Sequence, residues 1–584
     1  MITKKDISEY FDLEAEAAKK SWEELMKLPI DKRIRKRRAI KNVFLDQNYS
    51  GSTEEGFTLL RVKVGVNLSD FKEGDVVILH QENDIYGIEC SINAFDGEEG
   101  IILEVFPPNL PSSLELYYDK PLALDKNSID LRPNVYNNFI YALPGEQNEF
   151  WKSLLLNTGE IPTFADEQKN AEELEDTVKN FELNLLPRQR EAIIKSMSAK
   201  DYYLIQGPPG TGKSFVLSIV ILEELLYFNH KVVVIGPNHM AINNALEQAL
   251  KILPEYSDFM YKVGKRYNAP QLTINKYDTE LKINNASHLN VPSCNSIEHP
   301  WLIGLTPHCL YTSRARDLEC DTLIIDEAGQ MTIPLALMGM VKAKKVILAG
   351  DHKQLPPIIV SDEVRAEMKQ SAFQVLIGED NYTMLDVSFR MCEPICDFVS
   401  ELFYDGKVKP MKRGCGDMIV CDNPLYDFHT PIVMHHVDDD GEQYSDKEAL
   451  FIAETISGLL KMGLPPQEVA VLTPFRAQAA NVRRHLRKNK EIPEESLEHI
   501  KADTIDKMQG QEREVIIYSL VSGDLDYMTE MADFLYNPNK MNVAFSRAKS
   551  KLIIVGNVEQ LRKIPSDEYP HIHAMLESKY LKHI

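Results

Sequence analysis

Two hydrophobic periods alternate along the chain and divide it into regions. From about residue 4 to residue 42, Glu, Ala, Lys and Leu recur at helical spacing, and Pro29 predicts a break between two helices. From Phe57 onward, short runs alternate apolar and polar positions and are separated by turn formers such as KEGD and DGEEG. The runs are LLRVKV, DVVILH, IYGIEC, IILEV and LELYY. They predict a small antiparallel barrel.

Helical spacing returns from about residue 134 to residue 157, and an acidic stretch, ADEQKNAEELED (165–176), follows it. We interpret the acidic stretch as a surface linker. The pattern therefore assigns residues 1–49 to an N-terminal helical segment, 50–125 to the barrel, and 126–180 to a return helix and acidic linker.

From residue 181, buried apolar runs alternate with helical segments. The runs are YYLIQ, VVVIG, TLIIDE, VILAG, VAVLTP, EVIIYSLV and KLIIVG. This rhythm is typical of parallel sheets with crossover helices, and seven strands over about 400 residues favour two α/β domains over one. We place them at residues 181–370 and 371–584. The predicted fold class is therefore α/β with a β-barrel accessory domain.

The length and composition are those of a folded protein with several domains. A chain of 584 residues is too long to fold around one hydrophobic core, and 44% of its residues are hydrophobic. The N-terminus carries charges where a secretory signal needs an apolar core, and the apolar run from Phe215 meets Glu223 too early for a membrane span. We expect a cytoplasmic protein, monomeric and without a membrane partner. Eight cysteines without a CxxC pair favour reduced thiols over a disulfide framework or a zinc site.

The net charge of -23 argues at first against a nucleic-acid partner, because an acidic protein repels phosphate. A strand-binding protein needs only a local positive track, however, and an acidic exterior can surround one. Three stretches are candidates: KRIRKRRAIK (32–41), GKVKPMKR (406–413) and RAQAANVRRHLRKNK (476–490). Each alone is also typical of a solvated helix face or turn.

The clearest chemical motif is GPPGTGKS, which follows the apolar run YYLIQ and opens a helix near Lys213. It fits GxxxxGK(S/T) in the required strand-to-helix context. Glycines let backbone N–H groups surround phosphates, Lys213 reaches the β- and γ-phosphates, and the Ser214 hydroxyl binds Mg²⁺. The predicted nucleotide-binding residues of this loop are Gly207, Pro208, Pro209, Gly210, Thr211, Gly212, Lys213 and Ser214.

Two further strands end in polar residues. TLIIDEAGQ ends in Asp326, suited to hold Mg²⁺ with Ser214, and Glu327, suited to orient or deprotonate the attacking water. VILAGDHKQLPP brings Asp351 and Gln354 to the same carboxyl edge, where Gln354 could sense a γ-phosphate. In isolation, a solvated strand end or a turn would explain each pair.

These three motifs, in this order and wording, resemble those of superfamily 1 helicases, and DEAGQ and GDHKQLPP resemble the Up-frameshift-like branch. The resemblance spans roughly residues 181–557. It includes LLPRQREAI, GPNHMAINNAL, LDVSFRM, VAVLTPFRAQ, TIDKMQGQE and MNVAFSRAK. It implies two RecA-like P-loop domains, with an insertion in the first at about 256–300, an N-terminal stalk, an accessory barrel, and ATP with Mg²⁺ as cofactors.

The resemblance also implies residue roles. Gln189 matches the adenine-reading glutamine, Phe389 an aromatic that stacks on adenine, and Glu512 a ribose or coupling residue, although Phe389 also fits a buried core position. Arg390 and Arg547 match arginines of the second domain that touch the γ-phosphate only when the cleft closes, which completes the catalytic set of Lys213, Asp326, Glu327, Gln354, Arg390 and Arg547. An isolated surface ion pair is the alternative for either arginine.

Contacts to the strand are implied for Pro237, Asn238, Thr306, Thr473, Pro474 and Thr504. Hydroxyl and backbone donors suit phosphate contacts without sequence preference, and ordinary turn and cap residues are the alternative. The chain departs from the family at Asn238 and His239, at Ser388 and Phe389, and at Ser546. These changes leave ATP hydrolysis expected but put grip on the strand in doubt.

The predicted function is an ATP-dependent translocase or helicase on single-stranded DNA or RNA, with 5′ to 3′ travel implied by the resemblance alone. An ATP-gated clamp or remodelling ATPase without productive unwinding is the first alternative. A P-loop NTPase that acts on protein is the second, and it predicts hydrolysis indifferent to nucleic acid.

Overall fold

The computed structural model describes most of the chain, in four parts. Its described residues are 3–584 except 54–56, 66, 68, 70, 72–74, 82–86, 97–99, 106–113, 129, 144–161, 265–271, 277–278, 287–299, 412–417 and 509. The parts are a helical segment, a barrel and two parallel sheets with their helices, which we call the first and second α/β units. None of the described helices combines the length and apolarity needed to cross a bilayer.

The helical segment consists of α1 (Lys4–Met26), α2 (Ile30–Arg35) and α3 (Asn137–Ala142). Thr3 and Asp6 form a capping box that begins α1, and Pro29 separates α1 from α2 as predicted. The Phe11 ring stacks on the Tyr136 ring with centroids 3.9 Å apart. Phe11 belongs to the same hydrophobic core as residues of the first unit, so the helical segment packs against that unit. The predicted return helix is helical up to Ala142; its remainder, 144–157, lies outside the described residues.

The barrel is a closed ring of six antiparallel strands, in the order β1-β7-β4-β5-β6-β3 and back to β1, with β2 paired to β3 outside the ring. Its strands are β1 (Ala39–Leu45), β2 (Gly51–Ser52), β3 (Thr58–Val64), β4 (Val76–Gln81), β5 (Gly87–Asp96), β6 (Gly100–Val105) and β7 (Leu122–Lys126). Alternate residues of each strand fill one apolar interior.

Two barrel predictions were wrong. Residues 39–45 were assigned to the helical segment, but their apolar positions alternate and close the ring as β1. LELYY was predicted as a strand, but Leu114–Tyr117 is a short 3-10 helix and the next apolar run forms β7 instead.

The first α/β unit is built on eight strands in the order β13-β10-β14-β9-β15-β16-β8-β17, and every pairing is parallel. The strands are β8 (Tyr202–Gln206), β9 (Val232–Ile235), β10 (Met260–Val263), β13 (Asn284–Ala286), β14 (Leu302–Gly304), β15 (Cys320–Ile325), β16 (Ala343–Gly350) and β17 (Tyr382–Met384), with β11 (Thr273–Lys276) and β12 (Thr279–Lys282) as a separate hairpin. Its helices are α4 (Glu167–Asn180), α5 (Pro187–Ser198), α6 (Lys213–Leu226), α7 (His239–Ile252), α8 (Ile333–Met340) and α9 (Ala372–Leu376).

The second unit is built on six parallel strands in the order β22-β21-β23-β24-β20-β25. They are β20 (Ile432–His436), β21 (Val469–Thr473), β22 (Lys501–Thr504), β23 (Arg513–Ser519), β24 (Ala548–Gly556) and β25 (Lys582–His583), and a small pair, β18 (Val387–Ser388) with β19 (Lys409–Pro410), precedes them. Its helices are α10 (Glu393–Phe403), α11 (Asp446–Lys461), α12 (Arg476–Lys488), α13 (Glu494–Leu497), α14 (Leu525–Glu530), α15 (Ala532–Leu535), α16 (Pro538–Phe545), α17 (Val558–Leu561) and α18 (Pro570–Leu576).

All seven apolar runs predicted as parallel strands are strands of these two sheets. Three expectations were wrong. The acidic stretch is the helix α4, because Leu174 anchors it in the core of the first unit. The segment 256–300 contributes β10 and β13 to the main sheet and is not an insertion throughout. The first unit extends past residue 370, since β17 pairs with β8. Among the described cysteines, Cys90, Cys309, Cys320, Cys396 and Cys421 are free as expected, whereas Cys392 is disulfide-bonded, contrary to the expectation.

Candidate nucleotide and strand site

The phosphate-binding loop lies between β8 and α6 at the carboxyl edge of the first sheet. Gly210 and Gly212 have φ of 74° and 83°, which glycine adopts without the strain of a side chain. A Cβ on Gly207 would lie 2.6 Å from the Cβ of Lys213, so a larger residue would not fit there. Helix α6 begins at Lys213, and its first-turn N–H groups have no partner within the helix and favour an anion.

Lys213 joins this loop to the two carboxylates at the end of β15. Its Nζ donates to Oδ1 of Asp326 and, at 2.9 Å, to Oε1 of Glu327. Burial opposes the charge of Lys213, but the two carboxylates outweigh it and raise its pKa. The ammonium therefore occupies the position between carboxylates that suits a metal cation, and the predicted acidic pair faces the phosphate-binding loop.

The two carboxylates differ in environment. Burial raises the pKa of Asp326, whereas for Glu327 the ammonium of Lys213 outweighs burial and lowers the pKa. Glu327 has a φ of 54°, a left-handed conformation that costs a non-glycine residue energy and is concentrated at functional sites. Its side chain also accepts a hydrogen bond of 3.3 Å from Gln330. Glu327 is thus held as a carboxylate beside the loop.

Asp351 follows β16 and accepts hydrogen bonds from side chains of both α/β units. Its buried carboxylate accepts from Gln206 at 3.1 Å and from the predicted sensor Gln354 at 2.8 Å. The hydroxyl of Tyr404, from the second unit, donates to it at 2.5 Å, and Asn542 donates to that hydroxyl at 2.8 Å. Gln354 therefore lies at the junction of the units, bonded to Asp351.

Backbone contacts reinforce this junction. Asn542 Nδ2 donates to the carbonyl of Lys353 at 2.6 Å, and Asn539 Nδ2 donates to that of Gln354 at 2.6 Å. Both asparagines lie on α16, immediately before the last predicted arginine. The turn 351–354 is thus held between its own sheet and a helix of the second unit.

Residues 388–390 contact the phosphate-binding loop directly. Ser388 Oγ donates to the carbonyl of Pro209 at 2.9 Å, and the amide of Phe389 donates to that of Gly210 at 2.8 Å. The Phe389 ring is 47% exposed, so the alternative of a buried core phenylalanine was wrong. Gln189 donates to the carbonyl of Thr211 at 3.2 Å, on the side of the loop where Phe389 approaches Gly212.

The two predicted arginines are close to each other and to Glu512. Arg390 Nε donates to Glu512 Oε2, and its Nη1 donates to the carbonyl of Ser546 at 3.1 Å. Arg547 is buried, and within the part of the chain that the structure describes its guanidinium donates to the carbonyls of Val543 and Gln511. Burial and the charge of Arg390 lower the pKa of Arg547, which nevertheless stays protonated. A nearby phosphate would relieve this unfavourable burial of charge.

The predicted strand contacts fall into two groups at the carboxyl edges of the two sheets. In the first unit, Asn238 caps α7 by accepting from Ala241 at 3.0 Å, and Thr306 precedes a short 3-10 helix. In the second unit, Thr473 and Thr504 are register partners at the ends of β21 and β22. Thr473 is fully buried and its Oγ1 has no hydrogen-bond partner among described residues. Pro237 and Pro474 adjoin these positions and are half-buried.

A cleft of about 600 Å³ connects the nucleotide site with this strand edge. Ser214, Asp326 and Glu327 line one end, and Asn238 lies on the same wall. Residues 501–503 and 506–508 of the second unit form part of the opposite wall. Residues 501–503 belong to β22, which ends at Thr504. Site residues of the first unit and neighbouring residues of the second unit therefore surround one continuous space.

Four residues of the junction were missed by sequence reasoning: Tyr404, Asn539, Asn542 and Gln206. Gln206 carries a usable signal, since it is a polar residue at the end of a buried strand. Asn542 lies within the motif MNVAFSRAK, although no role was predicted for it. Tyr404 follows a helix and Asn539 belongs to one, and no local pattern distinguishes these two from ordinary polar positions.

Comparison with known proteins agrees with this arrangement. Two family models, each described as an AAA domain, match residues 184–291 with 302–362, and residues 368–559. DNA polymerase alpha-associated DNA helicase A of Schizosaccharomyces pombe is 26% identical over 560 residues, 84% of this chain and 81% of that protein. An uncharacterised ATP-dependent helicase of Methanocaldococcus jannaschii is 27% identical over 66% of this chain and 69% of that protein. Regulator of nonsense transcripts 1 of Dictyostelium discoideum is 28% identical over 66% of this chain but only 32% of that protein.

Proposed function

Because the chain belongs to the superfamily 1 helicases of the Up-frameshift-like branch, and is therefore an ATP-hydrolysing nucleic-acid helicase, we propose that it is a motor that travels 5′ to 3′ along a single strand. We further propose that the two α/β units are RecA-like domains with the nucleotide site between them. The cytoplasmic location and monomeric state stay predictions.

One observation carries the proposal: both units contribute to the junction at the nucleotide site. Tyr404 and Asn542 of the second unit hold the turn that carries Gln354, and Ser388 contacts the phosphate-binding loop. A change in how the nucleotide fills the loop must therefore act on the relative position of the units. Such coupling of ligand contacts to domain closure is what a motor requires.

The residues present fit ATP with Mg²⁺. The glycines of the loop leave room for phosphate against backbone N–H groups, and Lys213 already holds a positive charge between Asp326 and Glu327. Protein sites for Mg²⁺ commonly supply one or two ligands and leave the rest to phosphate and water, as Ser214 and Asp326 would. When bound there, Mg²⁺ supplies charge neutralisation at the β- and γ-phosphates.

In the proposed reaction, Lys213 leaves the carboxylates and donates to the β- and γ-phosphates of ATP. This frees Glu327 to orient the attacking water and accept its proton. Arg547 and Arg390 donate to the γ-phosphate as the cleft closes, and Gln354 adjoins the same space. Hydrolysis is then conditional on closure, because the arginines come from the opposite unit.

For movement, we propose that Asn238 and Thr306 grip the strand on the first unit while Thr473, Pro474 and Thr504 grip it on the second. Asn238 lines one wall of the cleft, and residues 501–503, which precede Thr504, line the opposite wall. Closure of the cleft would therefore bring the two grips closer together. Alternation between the grips then advances the protein. Hydroxyl and backbone donors to phosphate do not distinguish DNA from RNA, so the proposal covers both.

The test is ATP hydrolysis measured with matched single-stranded DNA and RNA, followed by displacement of duplexes with 5′ or 3′ tails. We expect strong stimulation by at least one strand type, affinity that falls with salt, and displacement only from 5′ tails. Hydrolysis indifferent to both strands would refute a nucleic-acid motor. Stimulation without displacement from any tail would instead support the ATP-gated clamp, and displacement from 3′ tails would refute the direction.

A further inference from the structure

Three basic side chains gather at the carboxyl edge of the first sheet, beside the predicted strand contacts Asn238 and Thr306. Lys262 lies in β10, which pairs with β14, the strand that precedes Thr306. His239 begins α7 directly after Asn238, and His308 lies in the short 3-10 helix that follows Thr306. Burial lowers the pKa of His239 to about 4, and the charges of Lys262 and His308 add to this effect, so the three groups are close in space. We call them the basic cluster.

Lys262 is a deeply buried lysine whose ammonium lacks a partner in the described part of the chain. It is 1% exposed, and its Nζ has no hydrogen-bond acceptor there. Burial lowers its pKa to about 7. By contrast, the buried Lys551 of the second unit donates to the carbonyls of Pro424, Asp427 and Thr430 at 2.7 to 3.0 Å. A buried ammonium without an acceptor costs stability, so the position of Lys262 is unfavourable for the fold.

The titratable groups around Lys262 do not balance a positive charge. Those from the described residues of every element packed here are His239, His308, Cys309, Arg314 and Tyr136. Burial raises the pKa of the Cys309 thiol and raises that of Tyr136 to about 12, so both are neutral near pH 7. Burial lowers the pKa of His308 to about 4, and the hydroxyl of Tyr136 lies 3.3 Å from its Nε2. None of these described neighbours is a carboxylate.

The basic cluster lies next to the predicted grip of the first unit on the strand. His239 is half-buried, and its Nδ1 is buried without a hydrogen-bond partner in the described ranges. The side chain of Asn238 accepts from the amide of Ala241 at 3.0 Å, whereas the other first-turn N–H groups of α7 have no partner within the helix. A phosphate at this helix N-terminus would therefore meet backbone donors and supply the negative charge that the cluster lacks.

We propose that binding of the strand to the first unit is coupled to proton uptake by Lys262 and His239. In the free protein both side chains are largely uncharged above pH 7, and a strand phosphate at Asn238 lets them protonate. The inference rests on the proposed function and adds a property to its grip: the protein holds the strand more tightly at lower pH. The free energy that the burial of Lys262 costs is recovered only when the strand is bound.

The pH window follows from the two groups. In the free protein Lys262 loses its proton as pH rises through a pKa of about 7, whereas the ordinary value is 10.5. A phosphate that restores the ordinary pKa makes the complex hold one more proton than the free protein between these limits. Affinity should then fall toward about tenfold for each pH unit above 7. For His239 the same reasoning applies between a pKa of about 4 and the ordinary value of 6.5.

The test measures strand affinity from pH 5 to about 9 at fixed ionic strength, and counts protons by titration calorimetry in two buffers of different ionisation enthalpy. Lys262→Met is the main variant, because methionine is unbranched, uncharged and suited to a buried position. His239→Gln removes the second titrating group. Its matched control is His583→Gln, at an exposed position in β25 at the far edge of the second sheet. Thermal unfolding without strand checks each fold.

We expect the wild type to take up about one proton on binding the strand at pH 8, and Lys262→Met to take up none. The variant should bind more weakly than the wild type at pH 7, and the gap should narrow as pH rises. Its unfolding midpoint should be higher than that of the wild type, because it lacks the unpartnered cation. His239→Gln should flatten the affinity curve below pH 6.5, and His583→Gln should match the wild type.

Equal proton uptake by wild type and Lys262→Met, with the wild type binding the strand well, would overturn the inference and leave the proposed function standing. A lower midpoint for Lys262→Met, or its failure to fold, would reveal a stabilising partner of Lys262 and would overturn the inference as well. A curve for His239→Gln identical to that of His583→Gln would refute the role of His239. A wild type that binds no strand at any pH would overturn both the inference and the proposed function.

Discussion

Tyr404→Phe isolates one contact between the two α/β units. The change removes a single hydroxyl, which donates to the buried carboxylate of Asp351 at 2.5 Å and accepts from Asn542 at 2.8 Å. Burial and Asp351 raise the pKa of Tyr404 well above its ordinary value, so the hydroxyl is protonated at any pH of interest. The substitution should therefore remove a donor to an anion and the hydroxyl that accepts from Asn542.

The magnitude follows from what Asp351 retains. Hydrogen bonds to charged groups contribute about 1.5–3 kcal/mol, and Asp351 keeps donors from Gln206, Gln354 and the amide of Lys353. We therefore expect the loss to fall at the lower end, about 1.5–2 kcal/mol. For a domain of roughly 200 residues this corresponds to a fall of about 3–8 °C in the unfolding midpoint. If the bond stabilises the closed transition state more than the ground state by the same amount, strand-stimulated kcat should fall about tenfold.

The assays are scanning calorimetry and strand-stimulated ATP hydrolysis, with Tyr518→Phe as the matched control. Tyr518 lies in the core of the same unit, fully buried, and its hydroxyl has no hydrogen-bond partner among described residues. Removing that hydroxyl should leave the midpoint unchanged or raise it slightly. A Tyr404→Phe midpoint no lower than that of Tyr518→Phe would refute the account of the junction.

Three further predictions concern catalysis and pH. Lys213→Ala should weaken ATP binding, measured by calorimetric titration. Glu327→Gln should still bind ATP but lower kcat by about 10² to 10⁴, and equal hydrolysis by wild type and Glu327→Gln would refute the base assignment. Arg547→Lys should lower stimulated kcat by up to about 10³, because lysine cannot donate two parallel hydrogen bonds, with ATP affinity little changed; a loss confined to affinity would contradict its role. Burial raises the pKa of Glu448 to about 8, so the folded state keeps a proton that the unfolded state releases above its ordinary pKa. Glu448 should therefore contribute stability that is full below that ordinary pKa and declines by about 1.4 kcal/mol per pH unit as pH rises toward 8. Unfolding midpoints of wild type and Glu448→Gln, measured from pH 5 to about 8, should differ in slope, and parallel curves would contradict the proton assignment.

The sequence predicts what is local. A strand followed by a glycine-rich turn, or by paired carboxylates, can be recognised from a short stretch of sequence. Because β15, β16 and β8 are neighbours in a parallel sheet, Lys213, Asp326 and Asp351 then lie at one edge of that sheet. The same logic succeeds for the seven long apolar runs. Short strands such as β17 and β22 carry too few residues for a period to be recognised, and that is why the boundary at 370 fell too early.

What the sequence does not predict is pairing across long separations. Tyr404 meets Asp351 and Asn542 through the docking of two separately folded cores, and no spacing in the chain encodes that meeting. The meeting of Lys262 with His239 and His308 is of the same kind, because each of the three lies on a different element.

The position of β17 ties the two arginines to the phosphate-binding loop through a short segment. Met384 at the end of β17 is the register partner of Gln206, and six residues later Arg390 follows a segment hydrogen-bonded to Gly210. Arg390 Nη1 donates to the carbonyl of Ser546, the residue before Arg547, so the two arginines lie side by side on the second unit. We therefore expect them to approach a γ-phosphate together, over a distance limited by the six residues that join Arg390 to the first sheet.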